Sequence, residues 1–316
     1  MTGDSGRSPL RLGTRASALA LTQSGLVGEA LVAGTDREVE LVHVRSQGDV
    51  DRTSPLARIG GTGVFVTAVR QALLDGDVDV IVHSCKDLPT APAPGIALSC
   101  VPAREDPRDA LCAAGGRTLD QLPRGARVGT GSPRRAAQLL RARPDLEVVA
   151  IRGNVETRLA RALGADADLD AVVLAASGLR RVGKQESISE MLPVEVMLPA
   201  PAQGALAVET RESTEPWLAA ALAGHEDAAT RDAVTAERAL LRTLEAGCSA
   251  PVAAFAERRE GSLHLRALAI STDGARVVEG ERTARDGENA AQLGEELARD
   301  LLDRGAGTIL AEATAL

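Results

Sequence analysis

The chain has 316 residues, of which 44% are apolar and 25% are charged, and its formal net charge at pH 7 is −8. This length allows two or three compact domains, each with its own core. The acidic balance argues against a nucleic-acid-binding surface, which needs clustered positive charge, and the lack of any apolar run as long as a membrane span argues against an integral membrane protein.

Between about residues 10 and 200, short β-branched or leucine-rich runs alternate with helical patterns. Several of these runs are apolar throughout, as expected for strands that are buried on both faces of a sheet. The alternation predicts parallel or mixed sheets with helices on both faces. The predicted strands are Leu10–Gly13, Val39–Arg45, Val78–His83, Ile96–Val101, Val148–Ile151 and Ala171–Ala175, and the predicted helices are 17–32, 63–75, 133–142 and 154–163.

After about residue 220 the pattern changes and predicts a separate α+β domain. The Pro-rich stretches 88–94 and 198–201 are the best candidates for crossings between domains. The expected fold class is therefore α/β with a C-terminal α+β domain. The elements predicted for that last domain are a helix near 228–245, strands at 252–258, 262–271 and 276–283, a helix at 288–304 and a last strand near 307–312.

Cationic side chains recur where the predicted strands end. In open α/β sheets, ligands bind beyond the carboxyl ends of the strands, so this recurrence predicts a site for an anionic ligand. A single arginine is more often a solvated charge or the partner of a nearby carboxylate. The whole set instead favours a ligand with several carboxylate or phosphate groups. The set is Arg15, Lys86, Arg134, Arg135 and Arg152.

Two of these arginines stand at the positive end of a predicted helix. Ser132 is a good N-cap and Pro133 suits the first helical position, which places Arg134 and Arg135 in the first turn. The helix N-terminus repels each cation by about 0.3–1 kcal/mol unless an anion lies there. The pattern therefore predicts an anion at this point.

The segment that begins at Arg152 repeats the arrangement. Asn154 is the expected cap of the next helix, and Arg158 lies one turn later. A second cationic helix start strengthens the prediction of a ligand with more than one negative group.

Asp87 directly follows Lys86 at the expected mouth of the site. A carboxylate among cations stays ionised, and it can bind a ligand N–H group, manage protons or stabilise a developing positive charge. An ordinary ion pair with a neighbouring arginine explains its position equally well. His83, on the preceding strand, is interpreted as a core histidine.

The four cysteines are Cys85, Cys100, Cys112 and Cys248, and they lack the paired spacing of a zinc or dithiol site, so no metal is expected. Three of them lie in apolar surroundings and are interpreted as buried. Cys248 follows a glycine and precedes a proline by three positions, which predicts a loop. A loop thiol can be a nucleophile or an attachment point if nearby cations favour the thiolate, although spacing alone favours an incidental thiol.

Eight segments resemble signatures of the porphobilinogen deaminase (hydroxymethylbilane synthase) family, and they occur in the family's order between about residues 9 and 312. Together they span nearly the whole chain, so a chance match is highly improbable. The segments are GTRAS at 13–17, HSCKDLP at 83–89, REDPRDA at 104–110, GTGSPRR at 129–135, RGNV at 152–155, PAQGA at 201–205, TAER at 235–238 and GC at 247–248.

The resemblance implies a fold of three domains. Two would be lobes like those of periplasmic binding proteins, with the active cleft between them, and the third would carry the cysteine. The first lobe would be completed by chain that returns after the second. The implied domains are 1–104 with 198–220, then 105–197, then 221–316.

The resemblance also implies a chemistry and a set of site residues. Four porphobilinogen units would be joined head to tail, each with loss of ammonia, on a dipyrromethane primer linked to Cys248 by a thioether, and hydrolysis would release 1-hydroxymethylbilane. Asp87 would be the catalytic residue, bound to pyrrole N–H groups. The cofactor's acetate and propionate groups would be bound by Lys86, Ser132, Arg134, Arg135 and Arg158. The substrate would be bound by Arg15, Ser17, Arg152, Gln203 and Gly204.

Two residues depart from the family pattern. Thr62 and Gln47 stand where many members have other side chains, and they are expected to change closure of the cleft or affinity without abolishing activity. A cytoplasmic location is expected, since the polar opening Met1 to Pro9 has no apolar centre of a secretion signal. A monomer is what the resemblance implies, and no pattern in the sequence indicates an extended apolar interface. Two alternatives stay open: a non-catalytic binding or sensor protein with a similar cleft, and a different transferase that uses Cys248 as a transient nucleophile.

Overall fold

The computed structural model describes residues 8–44, 63–247 and 250–314. Gln47, Thr62 and Cys248 lie outside the described residues.

The strands are β1 (Leu10–Thr14), β2 (Val39–His43), β3 (Val80–Ser84), β4 (Ile96–Cys100), β5 (Asp109–Ala113), β6 (Arg127–Thr130), β7 (Glu147–Ala150), β8 (Ala171–Ala175), β9 (Glu190–Met191), β10 (Leu206–Arg211), β11 (Val252–Arg259), β12 (Ser262–Ile270) and β13 (Val277–Thr283). The helices are α1 (Ala18–Val32), α2 (Gly63–Leu74), α3 (Pro133–Ala142), α4 (Val155–Leu163), α5 (Ala176–Arg181), α6 (Pro216–His225), α7 (Ala228–Thr243), α8 (Ala290–Asp303) and α9 (Ala306–Thr314).

The chain divides into two compact units, one formed by Met1–Ala103 with Ala205–Arg231 and the other by Arg104–Gly204 with Asp232–Leu316. The first unit contains a five-stranded sheet in the order β2-β1-β3-β10-β4. β1 runs parallel to β2 and β3, and β10, from the returning chain, runs antiparallel between β3 and β4. Its central strands are apolar and buried, as strands covered on both faces are.

The second unit contains a sheet of the same design in the order β7-β6-β8-β5-β9. β6 runs parallel to β7 and β8, and β5 runs antiparallel to β8. All five residues of β5 are buried, including the charged Asp109 at its start. In each sheet, therefore, parallel βαβ connections form one half and a strand of opposite direction separates them from the last strand.

The C-terminal part of the second unit is a three-stranded antiparallel sheet, β11-β12-β13, covered by helices α7, α8 and α9. The predicted last strand near 307–312 was wrong, because these residues belong to α9. Thr308-Ile309-Leu310 reads as a short β-type run, but Ala306, Ile309 and Leu310 are spaced as one helical face, and all three are buried. The expected α/β fold class with a C-terminal α+β part is confirmed. Among the helices that the structure describes, none is long and apolar enough to cross a membrane.

The C-terminal sheet packs against the back of helix α3. Ala137 of α3 shares an apolar cluster with Leu268 and Ile270 of β12. Gly274, in the turn after β12, has a φ of +75°, and a Cβ there would lie 2.5 Å from the carbonyl oxygen of Ala137. Glycine is therefore required where this turn meets the helix, and the C-terminal sheet packs against the middle of α3.

A buried ion pair links helix α7 to other parts of the second unit. The Arg104 guanidinium donates to both oxygens of Glu237, at 2.6 and 3.1 Å. The same carboxylate, which is 0% exposed, also accepts hydrogen bonds from the backbone N–H groups of Ala202 and Ala256. Glu237 of α7 is therefore bonded to strand β11 through Ala256 and to two other segments of this unit, one at Arg104 and one at Ala202.

Candidate active site

In the first unit, Asp87 stands on a short turn that continues strand β3. The turn is one 3₁₀ helix, Cys85–Asp87. The N–H group of the buried Cys85 donates to the carbonyl oxygen of Ala205 at 3.0 Å, and the N–H group of the buried Leu88 donates to the carbonyl of Cys85 at 3.2 Å. Asp87 is exposed between these two anchors. Its carboxylate has no ion pair or hydrogen bond with the side chains that the structure describes, so the ion-pair interpretation gains no support.

Arg15 and Ser17 lie at the same edge of this sheet as Lys86 and Asp87. β1 and β3 are neighbouring parallel strands, and both pairs of residues follow the carboxyl ends of those strands. Ser17 caps helix α1, because its hydroxyl accepts a hydrogen bond from the N–H group of Ala20 at 3.3 Å. Lys86 and Arg15 are both half-buried. The structure therefore brings together the four predicted residues of this unit.

In the second unit, two helices begin at one edge of the sheet. Ser132 caps α3 with Pro133 at its start, and Asn154 caps α4, whose Thr157 N–H donates to the Asn154 side chain at 2.8 Å. Both predicted caps are confirmed. The two starts are adjacent, since a Cβ on Gly131 would lie 2.6 Å from the carbonyl oxygen of Ile151 and 3.7 Å from the Arg158 guanidinium.

The anion that the first helix start requires is a protein carboxylate, Asp109. The Arg134 guanidinium donates to one oxygen of Asp109 at 2.7 Å, and Arg135 Nε donates to the other at 2.9 Å. Arg134 and Arg135 are only 3% and 5% exposed, and Asp109 is fully buried. Sequence reasoning missed Asp109, although it stands in the quoted segment at 104–110, because no local signal pairs it with residues 25 positions away.

This cluster carries a surplus of positive charge. Two buried guanidinium groups face one buried carboxylate, and no other carboxylate of the described residues bonds to either arginine. Burial alone would raise the pKa of Asp109, but the charges of Arg134 and Arg135 and a hydrogen bond from Gln203 outweigh it and hold the pKa at about 2. A buried charge without a counter-ion is costly, so this edge of the sheet fits an acidic ligand. Carboxylates in particular match the fork of donors that guanidinium groups and helix N-termini present.

Gln203 and Gly204 complete the cluster from the far side. The Gln203 amide donates to Asp109 and to the Pro107 carbonyl, both at 2.8 Å. Gly204 has a φ of +93°, and a Cβ there would collide with the carbonyl oxygen of Glu105, which restricts the position to glycine. Gln203 is 1% exposed, and its side chain contacts Asp109 and orients that carboxylate. The assignment of Gln203 to substrate binding stays a prediction.

The cations of this unit differ in their access to solvent. Arg152 is exposed and has no ion-pair partner among the described side chains, whereas Arg158 is half-buried beside Gly131. Arg134 and Arg135 are buried. Exposed and buried cations therefore stand at the same edge, the former able to contact a ligand directly and the latter supplying fixed charge.

The described cysteines are all buried. Cys85, Cys100 and Cys112 are each 0% exposed, and burial raises the pKa of Cys100 and Cys112 to about 12. Such thiols stay protonated at neutral pH and are poor nucleophiles. The predicted burial of these three is confirmed, and Cys248 lies outside the described residues.

Acid is expected to destabilise the second unit through Asp109. Its folded pKa of about 2 lies below the ordinary value of 3.8, so its ionisation stabilises the fold above pH 4 by an amount on the order of 2 kcal/mol. That contribution disappears as the pH falls from about 4 to about 2. Urea unfolding measured at several pH values should show this decline in the free energy of unfolding, and the free energy should depend less steeply on pH in Asp109→Asn. Equal slopes in both proteins would contradict the assignment.

Two family models match the chain. The model described as porphobilinogen deaminase, dipyromethane cofactor binding domain, matches residues 10–219, and the model described as porphobilinogen deaminase, C-terminal domain, matches residues 232–303. Porphobilinogen deaminase of Thermobifida fusca is 51% identical, with 98% of each chain covered. That of Nocardia farcinica is 50% identical over 98% of this chain and 90% of its own. That of Syntrophus aciditrophicus is 48% identical over 96% of this chain and 98% of its own.

Identity at this level, over nearly the full length, shows common ancestry and a common fold. The segments that bear the site, around Asp87 and at the starts of α3 and α4, all lie within residues 10–219. The chain therefore belongs to the porphobilinogen deaminase family, and residues 10–219 are its dipyrromethane cofactor-binding region.

Proposed function

We propose that this chain is a hydroxymethylbilane synthase, a transferase of tetrapyrrole and haem biosynthesis with porphobilinogen as its substrate and dipyrromethane as its cofactor. The observation that carries this conclusion is the 50–51% identity to porphobilinogen deaminases across nearly the whole chain. Four porphobilinogen units are joined head to tail with loss of ammonia, and hydrolysis releases linear 1-hydroxymethylbilane. When bound, dipyrromethane supplies the primer to which the substrate units are added.

Cys248 is the attachment point of the cofactor in this proposal, through a thioether. Elimination supports it, because the sequence has four cysteines and the other three are buried. A thioether forms from an accessible thiolate, and burial holds the pKa of Cys100 and Cys112 at about 12. The family resemblance of the segment at 247–248 points to the same residue.

Asp87 is the catalytic residue in this proposal. Loss of ammonia from a pyrrole and coupling of two rings both develop positive charge near the ring nitrogen. A fixed carboxylate stabilises that charge and accepts a hydrogen bond from the pyrrole N–H. The exposure of Asp87, and its freedom from ion pairs with the described side chains, support this role, because a neutralised carboxylate would contribute little.

The acidic groups of the cofactor and the substrate are bound by the cations at the two sheet edges. Lys86, Ser132, Arg134, Arg135 and Arg158 serve the cofactor, and Arg15, Ser17, Arg152, Gln203 and Gly204 serve the substrate. Each pyrrole carries an acetate and a propionate, so a ligand of several rings needs many donors. The surplus charge beside Asp109 supports this assignment. Within it, the buried Arg134 and Arg135 supply fixed positive charge at the start of α3, while the exposed Arg152 contacts carboxylates directly.

Three domains are proposed, formed by 1–104 with 198–220, by 105–197 and by 221–316. Three separate sheets, with separate apolar clusters, support this division. A monomer is proposed because the large apolar side chains that are exposed in the described ranges are few and scattered: Leu26, Leu74, Leu163 and Leu302. A cytoplasmic location is proposed because free cysteines are typical of a reducing compartment.

The test is turnover of porphobilinogen by the purified chain. We expect release of ammonia and of a linear tetrapyrrole, in a ratio of four ammonia molecules to one product. A binding or sensor protein would retain porphobilinogen without releasing ammonia, and that result would contradict the proposal. A different ratio would show another transferase reaction.

A further inference from the structure

A buried carboxylate ties three elements of the first unit together behind the Asp87 turn. Glu209 of β10 is 3% exposed. The Arg70 guanidinium of α2 donates to both of its oxygens, at 2.9 Å from Nε and 2.5 Å from Nη2. His83 Nε2 of β3 lies 3.3 Å from Glu209 Oε2, close enough for an ionic contact but outside hydrogen-bond geometry. One side chain therefore links helix α2 to strands β3 and β10.

The irregularity of the sheet beside Glu209 lies in the neighbouring strand β4. β10 pairs regularly with β3 from Leu206 to Glu209, but its register with β4 on the other side shifts between Val208 and Glu209. Val208 pairs with Cys100 and Glu209 with Leu98, so the extra residue is Ser99 of β4. β10 itself is regular, and Glu209 stands directly opposite Ile81 of β3.

The surroundings of Glu209 would suit an apolar side chain. Its partner across the strands is Ile81, which packs with Val69, Leu73 and Val78 in one cluster. Replacing a buried ion pair by apolar residues is often neutral or stabilising, so stability alone does not explain a charge here. Burial would raise the pKa of Glu209, yet the hydrogen bonds from Arg70 and the charges of Arg70 and His83 hold it at about 2. The carboxylate is ionised throughout the neutral range.

His83 and Ser84 fasten the end of β3 on its two faces. His83 faces Glu209, and the hydroxyl of Ser84 accepts a hydrogen bond at 3.0 Å from the buried Gln23 amide of α1. The Cys85–Asp87 turn follows Ser84 directly. Little chain therefore separates the fastened strand end from the Asp87 carboxylate.

We infer that Glu209 is a positioning residue for catalysis: through His83 and Arg70 it fixes the end of β3, and thereby the place of the Asp87 carboxylate. The inference rests on the proposed role of Asp87. A misplacement of about 1 Å in a reacting group can cost about 10²-fold in rate. A residue that touches neither substrate nor cofactor can therefore have a large effect on kcat.

The test is Glu209→Gln, which keeps the shape of the side chain and removes its charge. We expect kcat for porphobilinogen to fall by about 10- to 100-fold, with KM changed by less than about 3-fold, because binding through other residues is kept. Intact mass should show that the cofactor stays attached. The matched control is Asp79→Asn. Asp79 also pairs with two basic groups, Arg11 at 2.7 Å and Arg211 at 3.4 Å, but at the opposite end of β3, so stability should fall and kcat should not.

A pair of variants at His83 covers the case in which Glu209→Gln does not fold. His83→Gln keeps a polar nitrogen within reach of Glu209 and should stay within a few-fold of the wild-type kcat, whereas His83→Leu should lose activity as Glu209→Gln does. Wild-type kcat in Glu209→Gln or in His83→Leu would overturn the inference. The inference would also be overturned if Asp79→Asn lowered kcat as much as Glu209→Gln does, or if the kcat of Glu209→Gln fell only because the attached cofactor was lost. Failure of the proposed function is a separate result, since the wild-type chain would then release no ammonia.

Discussion

Replacing Asp87 by alanine is expected to lower kcat for porphobilinogen by at least about 10²-fold, because the reaction loses the carboxylate that stabilises developing positive charge. The fold should be kept, since Asp87 is exposed and bonds to no described side chain. Surface substitutions of this kind usually change the free energy of unfolding by less than about 0.5 kcal/mol. Initial rates of ammonia release, together with urea unfolding of the same preparation, check both parts.

Asp77→Ala is the matched control for this variant. Asp77 is an exposed aspartate of the same unit, placed before β3 instead of after it. Its replacement removes an equal charge far along the strand from the turn, so kcat should stay near that of the wild type. Substantial activity in Asp87→Ala, or an equal loss in Asp77→Ala, would remove the case for a catalytic carboxylate at position 87.

The largest loss of stability is expected from Asp109→Ala. This change leaves the buried guanidinium groups of Arg134 and Arg135 facing each other without their shared carboxylate. Breaking a buried ion pair from one side costs about 3–5 kcal/mol. The Gln203 amide would also lose its acceptor at 2.8 Å. Urea unfolding at pH 7 should show the midpoint moving strongly to lower denaturant, with an unchanged slope.

The control for Asp109 is Asp168→Ala. Asp168 also pairs with an arginine, Arg161, but the pair is exposed at the surface of the same unit. Exposed pairs contribute little to stability, so the midpoint should hardly move. A similar small effect in Asp109→Ala would mean that an anion other than Asp109 neutralises the two arginines. The site would then have no surplus of positive charge.

The two caps and nine of the strands that the structure describes could be predicted because their signals are local, whereas β5, β6, β9 and β10 were not predicted. Ser132 with Pro133, and Asn154, stand directly before helical patterns, and each cap bond spans three residues. The predicted strands that match β1, β2, β3, β4, β7 and β8 are short runs, mostly apolar, bounded by turn residues. In such places neighbouring residues alone decide the conformation, and the boundaries agree to within a few residues.

The partners of the charged groups could not be predicted, because tertiary structure chooses them. Asp109 meets Arg134 through β5, a strand that the sequence pattern did not indicate, and Glu209 meets Arg70 across 139 positions. Cationic residues at strand ends predicted an anionic ligand, but the pattern could not show that a protein carboxylate already neutralises part of the charge. The last helix was missed for a related reason, since a short apolar run fits either a strand or a helix until its packing is known.

Cys248 is proposed to carry a dipyrromethane primer that the chain extends with porphobilinogen. The intact mass of the purified chain decides whether it does. We predict a mass above that of the sequence by one dipyrromethane, rising in steps of one pyrrole unit when limited porphobilinogen is added. Cys112→Ala should behave in the same way, and Cys248→Ala should have the bare sequence mass. A wild-type chain without added mass, or an added mass that survives Cys248→Ala, would show that Cys248 does not carry the primer.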